Sequence, residues 1–173
     1  MKRSKVHLGV VAGARPTNQT LANLKAFADQ YLKGKRIHLH TPGRWDNGDG
    51  IVADFFERGF SARLILHRAS VDTASNHDES DSGPVTEDFH SQRPVSPTAK
   101  DRARELVDAT DLLVILPGTT VNGKSVSNAD PCFPFVAHAN SFRKAVVLID
   151  ETGVQLIQRD VLRALRPRSS LYG

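Results

Sequence analysis

The feature that most constrains this chain is a set of five short apolar runs separated by segments of helical periodicity. The runs are Val6 to Val11, Ile37 to His40, Leu64 to His67, Leu112 to Leu116 and Ala145 to Ile149. Runs this short, with little polar alternation, suit strands covered on both faces, because a strand with one wet face alternates polar and apolar residues. Between the first two, Leu21, Leu24, Ala28, Tyr31 and Leu32 recur at helical spacing, with Gly34 as the stop signal. Ile51 to Arg58 follows the second run and ends at Gly59, Ala99 to Ala109 precedes the fourth, Pro131 to Phe142 precedes the fifth, and Gln158 to Leu165 closes the chain. Strands alternating with helices predict an α/β fold: a Rossmann-like, doubly wound, parallel five-stranded sheet with helices on both faces.

A length of 173 residues fits one domain over 1–173. The reading sets apart a basic N-terminal tail (1–5), a long acidic and polar loop (70–98) and a C-terminal tail (166–173). No apolar stretch approaches the roughly 18 to 20 residues that a spanning helix needs. The start, Met1-Lys2-Arg3-Ser4-Lys5, runs straight into a strand-like segment instead of a signal-peptide core. The expectation is therefore a cytoplasmic protein with no membrane partner. A single cysteine, Cys132, excludes an internal disulfide framework and a multi-Cys zinc site.

The net charge of +4 belongs to the two ends of the chain. Lys2, Arg3 and Lys5 carry the first excess, and Arg159, Arg163, Arg166 and Arg168 against Asp160 carry the second. A nucleic-acid reader concentrates Lys and Arg on one face of its folded body, so this distribution argues against nucleic acid and for solvated termini.

Open α/β sheets bind ligands outside the C-terminal ends of their strands, which directs attention to the loops there. The first, Ala12 to Asn18, holds Gly13 and Arg15; Arg15 either forks onto a phosphate or carboxylate or stands at the surface beside a helix N-cap. The second, Thr41 to Gly50, holds Gly43, Arg44, Trp45, Gly48 and Gly50 ahead of a helix. Its glycines would let backbone approach a ligand and its helix would offer N–H groups to an anion, or it is a plain glycine-rich turn. Trp45 either stacks on a base or covers the sheet edge. Ala69 to Thr98 is long for a loop without periodicity, and residues 71 to 92 carry Asp72, Asp78, Glu79, Asp81, Glu87 and Asp88 with no Lys or Arg, as a lid or as a solvated loop. The fourth strand ends in Pro117-Gly118-Thr119-Thr120, whose hydroxyls could bond a ribose or phosphate or merely form a turn.

Taken in order, these segments resemble the LOG (Lonely Guy) and broader SLOG superfamily of nucleotide-binding proteins. The first loop is similar to the family's Gly-Ser-Arg segment after strand one. Thr41 through Gly50-Ile51-Val52-Ala53-Asp54 to Gly59 is similar to its glycine-rich turn and following helix. Asp101-Arg102, Leu106 and Thr110-Asp111 through Leu116-Pro117-Gly118 are similar to its arginine-bearing helix and Pro-Gly turn, and Arg143-Lys144-Ala145-Val146-Val147 to the Gly-Lys-Pro-Val of its next strand. The resemblance spans most of residues 5 to 150. It implies a nucleotide or nucleotide-derived ligand, a nucleoside phosphate or ADP-ribose-like molecule, with Arg102 directed at it. In the LOG branch it implies hydrolysis of a nucleotide N-glycosidic bond, and a homodimer. It implies no cofactor.

The catalytic glutamate of that branch has no counterpart, since no Glu occurs between Glu105 and Glu151. The more distant nucleoside deoxyribosyltransferases carry a nucleophilic Glu in the helix before the last strand, near where Phe135 stands here. Asp130 and, in the acidic loop, Glu87 are the substitute carboxylates. Asp130 before Pro131 also reads as an ordinary helix cap. Cys132 falls in the first turn of that helix, where the dipole would favour thiolate, or is a buried structural residue; His138 lies on another face of it. His38, His40 and His67 belong to strands. A metal on His77, Asp78 and His90 matches no zinc spacing, so none is expected. The expectation is a nucleotide sensor or binding module, with a nucleotide N-glycosidase or glycosyl transferase and a protein-interaction module as alternatives.

Overall fold

The computed structural model describes residues 5–44, 48–69, 91–118 and 126–158. Their strands are β1 (Lys5–Ala12), β2 (Arg36–Thr41), β3 (Arg63–Leu66), β4 (Ser91–Gln92), β5 (Leu112–Leu116), β6 (Ala145–Asp150) and β7 (Gly153–Gln158). The helices are α1 (Asn18–Tyr31), α2 (Asp49–Phe60), α3 (Ala99–Asp108) and α4 (Phe133–Ser141). The sheet order is β4-β3-β2-β1-β5-β6-β7, parallel throughout except for β7, which runs antiparallel to β6. The chain builds outward from β1 in one direction as far as β4, then crosses to the other side of β1 to add β5, β6 and β7.

The alternation of side chains along each strand divides the core between two faces. On one, Leu8, Val10, Leu39, Val114 and Val147 pack with Leu24 and Phe27 of α1 and Val52 and Phe56 of α2. On the other, Val11, Leu113, Ile115, Val146 and Leu148 pack with Leu106 and Val107 of α3 and Phe135, Val136 and Ala139 of α4. Every residue of β5 is buried, as a central parallel strand requires. Thr17 caps α1 by accepting from the Thr20 amide, and Thr98 caps α3 by accepting from the Asp101 amide.

The five expected strands are present, but the sheet has six strands of four residues or more and a seventh, β4, of two. The expected count of five is therefore corrected. The addition of β7 follows from a pattern that differs from the apolar runs: Gly153-Val154-Gln155-Leu156-Ile157-Gln158 sits at the sheet edge and turns back antiparallel through Glu151–Thr152. The closing helix expected from Gln158 loses its first residue to this strand, and its remainder lies outside the described residues. Lys5 begins β1 instead of ending a tail. Within the expected loop 70–98, Ser91–Gln92 form β4 against β3 and Ser96 bridges to Ala69; residues 70–90 lie outside the described set. Helix α2 passes through Gly59 and stops at Ser61, whose φ of 51° breaks the helix. Among the described residues, no helix is long and apolar enough to cross a membrane.

Candidate functional site

The strands β1 and β5 are neighbours whose chains leave the sheet side by side, and two glycines let the exits touch. The Gly13 amide donates to the Leu116 carbonyl at 2.8 Å. A Cβ on Gly13 would lie 2.4 Å from the Gly118 nitrogen and 2.4 Å from Asp130 Oδ1, and one on Gly118 would lie 2.7 Å from the Gly13 carbonyl. The close approach at this edge is thus backbone against backbone. Asp130 locks it from behind, with Oδ2 accepting from the Gly118 amide at 2.8 Å and Oδ1 from the Cys132 amide at 2.9 Å. Asp130 is 2% exposed.

The loop after β2 is closed in a similar way by a different carboxylate. Asp49, at the start of α2, is 1% exposed; its Oδ1 accepts from the Ala12 amide at 2.7 Å and its Oδ2 from the amide and Nε of Arg44, both at 2.9 Å. Arg44 also reaches the Ala12 carbonyl and lies over the Phe135 ring, its Cζ 5.6 Å from the centroid. The two side chains tie the ends of β1 and β2 together. Gly48, with φ of 86°, enters α2 in the left-handed region, where a Cβ would lie 2.9 Å from the Ala14 carbonyl oxygen.

An open cavity of about 270 Å³ remains on the α1 side of this edge. Ala14 to Thr17 and Thr20 form one wall, Leu116 to Gly118 the floor, and Asp150 to Thr152 the other wall. The side chain of Arg15 is exposed at its rim and Thr17 caps the helix that begins there. Asp150 is held by Thr152, whose amide and hydroxyl both donate to Oδ1, while Glu151 is exposed. Among the described residues, the cavity therefore has one exposed cation, one exposed carboxylate, one anchored carboxylate and threonine hydroxyls.

Of the residues singled out from sequence, Arg15, Pro117 and Gly118 line this cavity and Gly13 shapes its floor. Gly43, Arg44 and Gly48 belong to the neighbouring loop and Gly50 to the first turn of α2. Arg102, expected to be directed at a ligand, is 3% exposed within the α3–α4 layer, with its Cζ 6.0 Å from the centroid of Phe135. Asp130 lies behind the glycine contact and is engaged by backbone. Trp45, Glu87, Thr119, Thr120 and the trio His77, Asp78 and His90 lie outside the described residues. Helix α4 starts at Phe133, so Cys132 precedes it; the thiol is fully buried, and burial together with the Asp130 carboxylate raises its pKa well above the usual value. Of the two readings of Cys132, the structure shows the buried thiol and not the thiolate. Asp150, Glu151 and Thr152 were missed. The signal that finds them is the rule already applied to the other strands, because the fifth apolar run ends at Ile149 and its loop follows directly.

A second, larger concavity, of about 830 Å³, lies on the outer surface between α3 and α4. Phe133, Pro134, Ala137 and Phe142 give it an apolar wall, and Lys100 and Arg104 a basic rim; Phe142 is 66% exposed. Among the described residues, no group of three or more His, Cys, Asp or Glu is arranged to hold a metal ion. Compared with protein-family models, with curated proteins and with solved structures, the chain gives no match.

Proposed function

We propose that this chain is a Rossmann-like, doubly wound domain that binds a nucleotide or nucleotide-derived ligand, a nucleoside phosphate or an ADP-ribose-like molecule, as a sensor or binding module. The observation that carries the reading is the cavity between the ends of β1, β5 and β6. It stands beside the strand at which the sheet order reverses, where open α/β sheets place their ligands. Arg15 and the first turn of α1 supply the positive end for a phosphate, and the threonine hydroxyls supply sugar contacts. Its volume is near the lower end for small-molecule sites, which suits a sugar phosphate with the base lying outward.

Binding is favoured over glycosidic hydrolysis by the state of Asp130, whose two oxygens are already committed to backbone amides. An N-glycosidase reading now rests on Glu151, the exposed carboxylate at the same cavity. The apolar groove between α3 and α4 favours an interaction module, self-association included.

The test is a thermal-shift panel of nucleoside mono-, di- and triphosphates and ADP-ribose. A ligand at a hundredfold excess over its Kd stabilises the native state by about 2.7 kcal/mol, enough to move the melting temperature by several degrees. No shift from any member at millimolar concentration would remove the binding reading. Release of free base that is lost in Glu151→Gln would replace it with the hydrolytic one. A dimer that Phe142→Asp dissociates, without ligand binding, would favour the interaction module.

A further inference from the structure

Three histidines cross the α3–α4 face of the sheet in a continuous line. His7 Nδ1 lies 2.9 Å from His40 Nε2, and His40 Nδ1 lies 2.8 Å from His67 Nε2. His67 Nδ1 faces Glu105 Oε1 of α3 at 3.4 Å, and the other oxygen of Glu105 accepts from the Ser96 hydroxyl at 3.0 Å. The line begins near the start of β1, passes through β2, and ends just beyond β3 at the ligand edge of the sheet. His40 and His67 are fully buried, whereas His7 and Glu105 at the ends are partly exposed.

We propose that His7, His40, His67 and Glu105 form a proton relay: a buried site that takes one proton beyond its neutral complement and passes it along the line. Each nitrogen-to-nitrogen contact holds a single hydrogen, because two would clash and none would leave opposed lone pairs. Glu105 Oε1, at 3.4 Å but outside hydrogen-bond geometry, is the acceptor that favours a hydrogen on His67 Nδ1. The neutral line then has one polarity, with His7 Nδ1–H donating to His40 and His40 Nδ1–H donating to His67. A fourth proton, at His7 Nε2, leaves one hydrogen in each of the two nitrogen-to-nitrogen contacts. It moves on when the His7 Nδ1 proton transfers to His40 Nε2 and the His40 Nδ1 proton transfers to His67 Nε2. Each step breaks one N–H bond and forms another, and the charge ends on His67 beside Glu105. A fifth proton has no place without breaking a contact.

The surroundings keep His40 and His67 neutral near pH 7. Burial lowers His40 to about 3 and His67 to about 4, and the positive charge of Arg93 acts on both, with Arg102 of α3 acting on His67. At the His7 end stand His38, itself lowered to about 4 by burial, and Lys5, Arg36 and Arg63 around it; Asp111 accepts from the His7 amide. Glu105 is the carboxylate in the line. Because these imidazoles protonate in the unfolded chain near 6.5 but in the native state only near 3 to 4, stability falls as pH drops from about 6.5 to about 4.

The experiment is nitrogen-15 NMR of the histidine rings in the full chain. At pH 7, His40 and His67 should carry hydrogen on Nδ1 and none on Nε2. The opposite tautomer at His40 would overturn the relay. Glu105→Gln, at a side chain 34% exposed, should turn His40 into a mixture of tautomers although the two residues do not touch. A change confined to His67 would overturn it. In the unaltered protein, acidification should move the ring signals of His7, His40 and His67 with one shared midpoint, and three separate midpoints would mean independent buried histidines.

Discussion

The loop after β2 and the edge shared by β1, β5 and β6 start from similar sequence and end differently. Both are rich in glycine, both lead into a helix N-terminus, and both contain an arginine. In the first, the arginine turns inward: Arg44 bonds Asp49 and the Ala12 carbonyl, and Ala14 to Pro16 lie close against Gly48. In the second, Arg15 stays exposed and the space remains a cavity. The difference is the buried carboxylate available to each arginine. Asp49 starts α2 and faces Arg44, whereas Asp130 is consumed by the Gly118 and Cys132 amides and leaves Arg15 to solvent. Glycine spacing therefore announces a close approach without saying what approaches.

The largest effect expected at this edge is from Gly13→Ala. The added methyl meets the Gly118 backbone and a buried carboxylate oxygen at 2.4 Å, neither of which can retreat along a flexible side chain. Overpacking against backbone should cost about 3 kcal/mol, read as a lowered urea midpoint with unchanged slope. A cost under about 0.5 kcal/mol would mean that the β1 and β5 exits are not in contact, and the distinction between closed loop and open edge would lose its floor.

Asp49→Asn comes next. The carboxylate accepts three N–H groups and faces a guanidinium that is itself mostly buried, so the amide loses the charge pairing and must turn its own donor toward another donor. The expected loss is about 2 to 3 kcal/mol. Asp130→Asn, where the carboxylate accepts from two backbone amides, should lose less, about 1 to 2 kcal/mol. Reversal of that order, measured by denaturant unfolding of both variants, would break the account of why one loop is sealed and the other is not.

Much of this contrast was beyond sequence. The strands were legible because parallel strands buried on both faces are short uninterrupted apolar runs, as Leu112 to Leu116 shows. The edge strand β7 was not, since Gln155 and Gln158 interrupt the apolar run of Gly153 to Gln158 and its last residue, Gln158, reads as the start of a helix. Gly13, Arg15, Pro117 and Gly118 share one cavity because all of them follow the C-terminal ends of neighbouring strands, which the apolar runs already mark. Arg44 was grouped with them because nothing local says that its guanidinium will meet a carboxylate five residues on. Arg102 looked like a phosphate ligand, yet the spacing that puts it on α3 with Leu106 also puts it on the buried side of that helix. His38, His40 and His67 read as residues of separate strands, because the line from His7 through His40 to His67 exists only once β1, β2 and β3 are in register.

The smallest stability effect and the sharpest functional one are expected from Arg15→Ala. The side chain is exposed at the cavity rim, so its truncation should change unfolding free energy by no more than about 0.5 kcal/mol. A charge-assisted contact to phosphate contributes about 1.5 to 3 kcal/mol, which corresponds to a loss of roughly ten- to a hundredfold in affinity for the phosphate ligand identified by thermal shift. Arg44→Ala should show the opposite profile, because its guanidinium serves Asp49 and Ala12: a loss of about 2 kcal/mol or more in stability. Calorimetry with that ligand, beside denaturant unfolding of both variants, separates the two arginines. Equal losses of affinity in Arg15→Ala and Arg44→Ala, each with unchanged stability, would mean that both loops face the ligand and that the inward turn of Arg44 is not what distinguishes them.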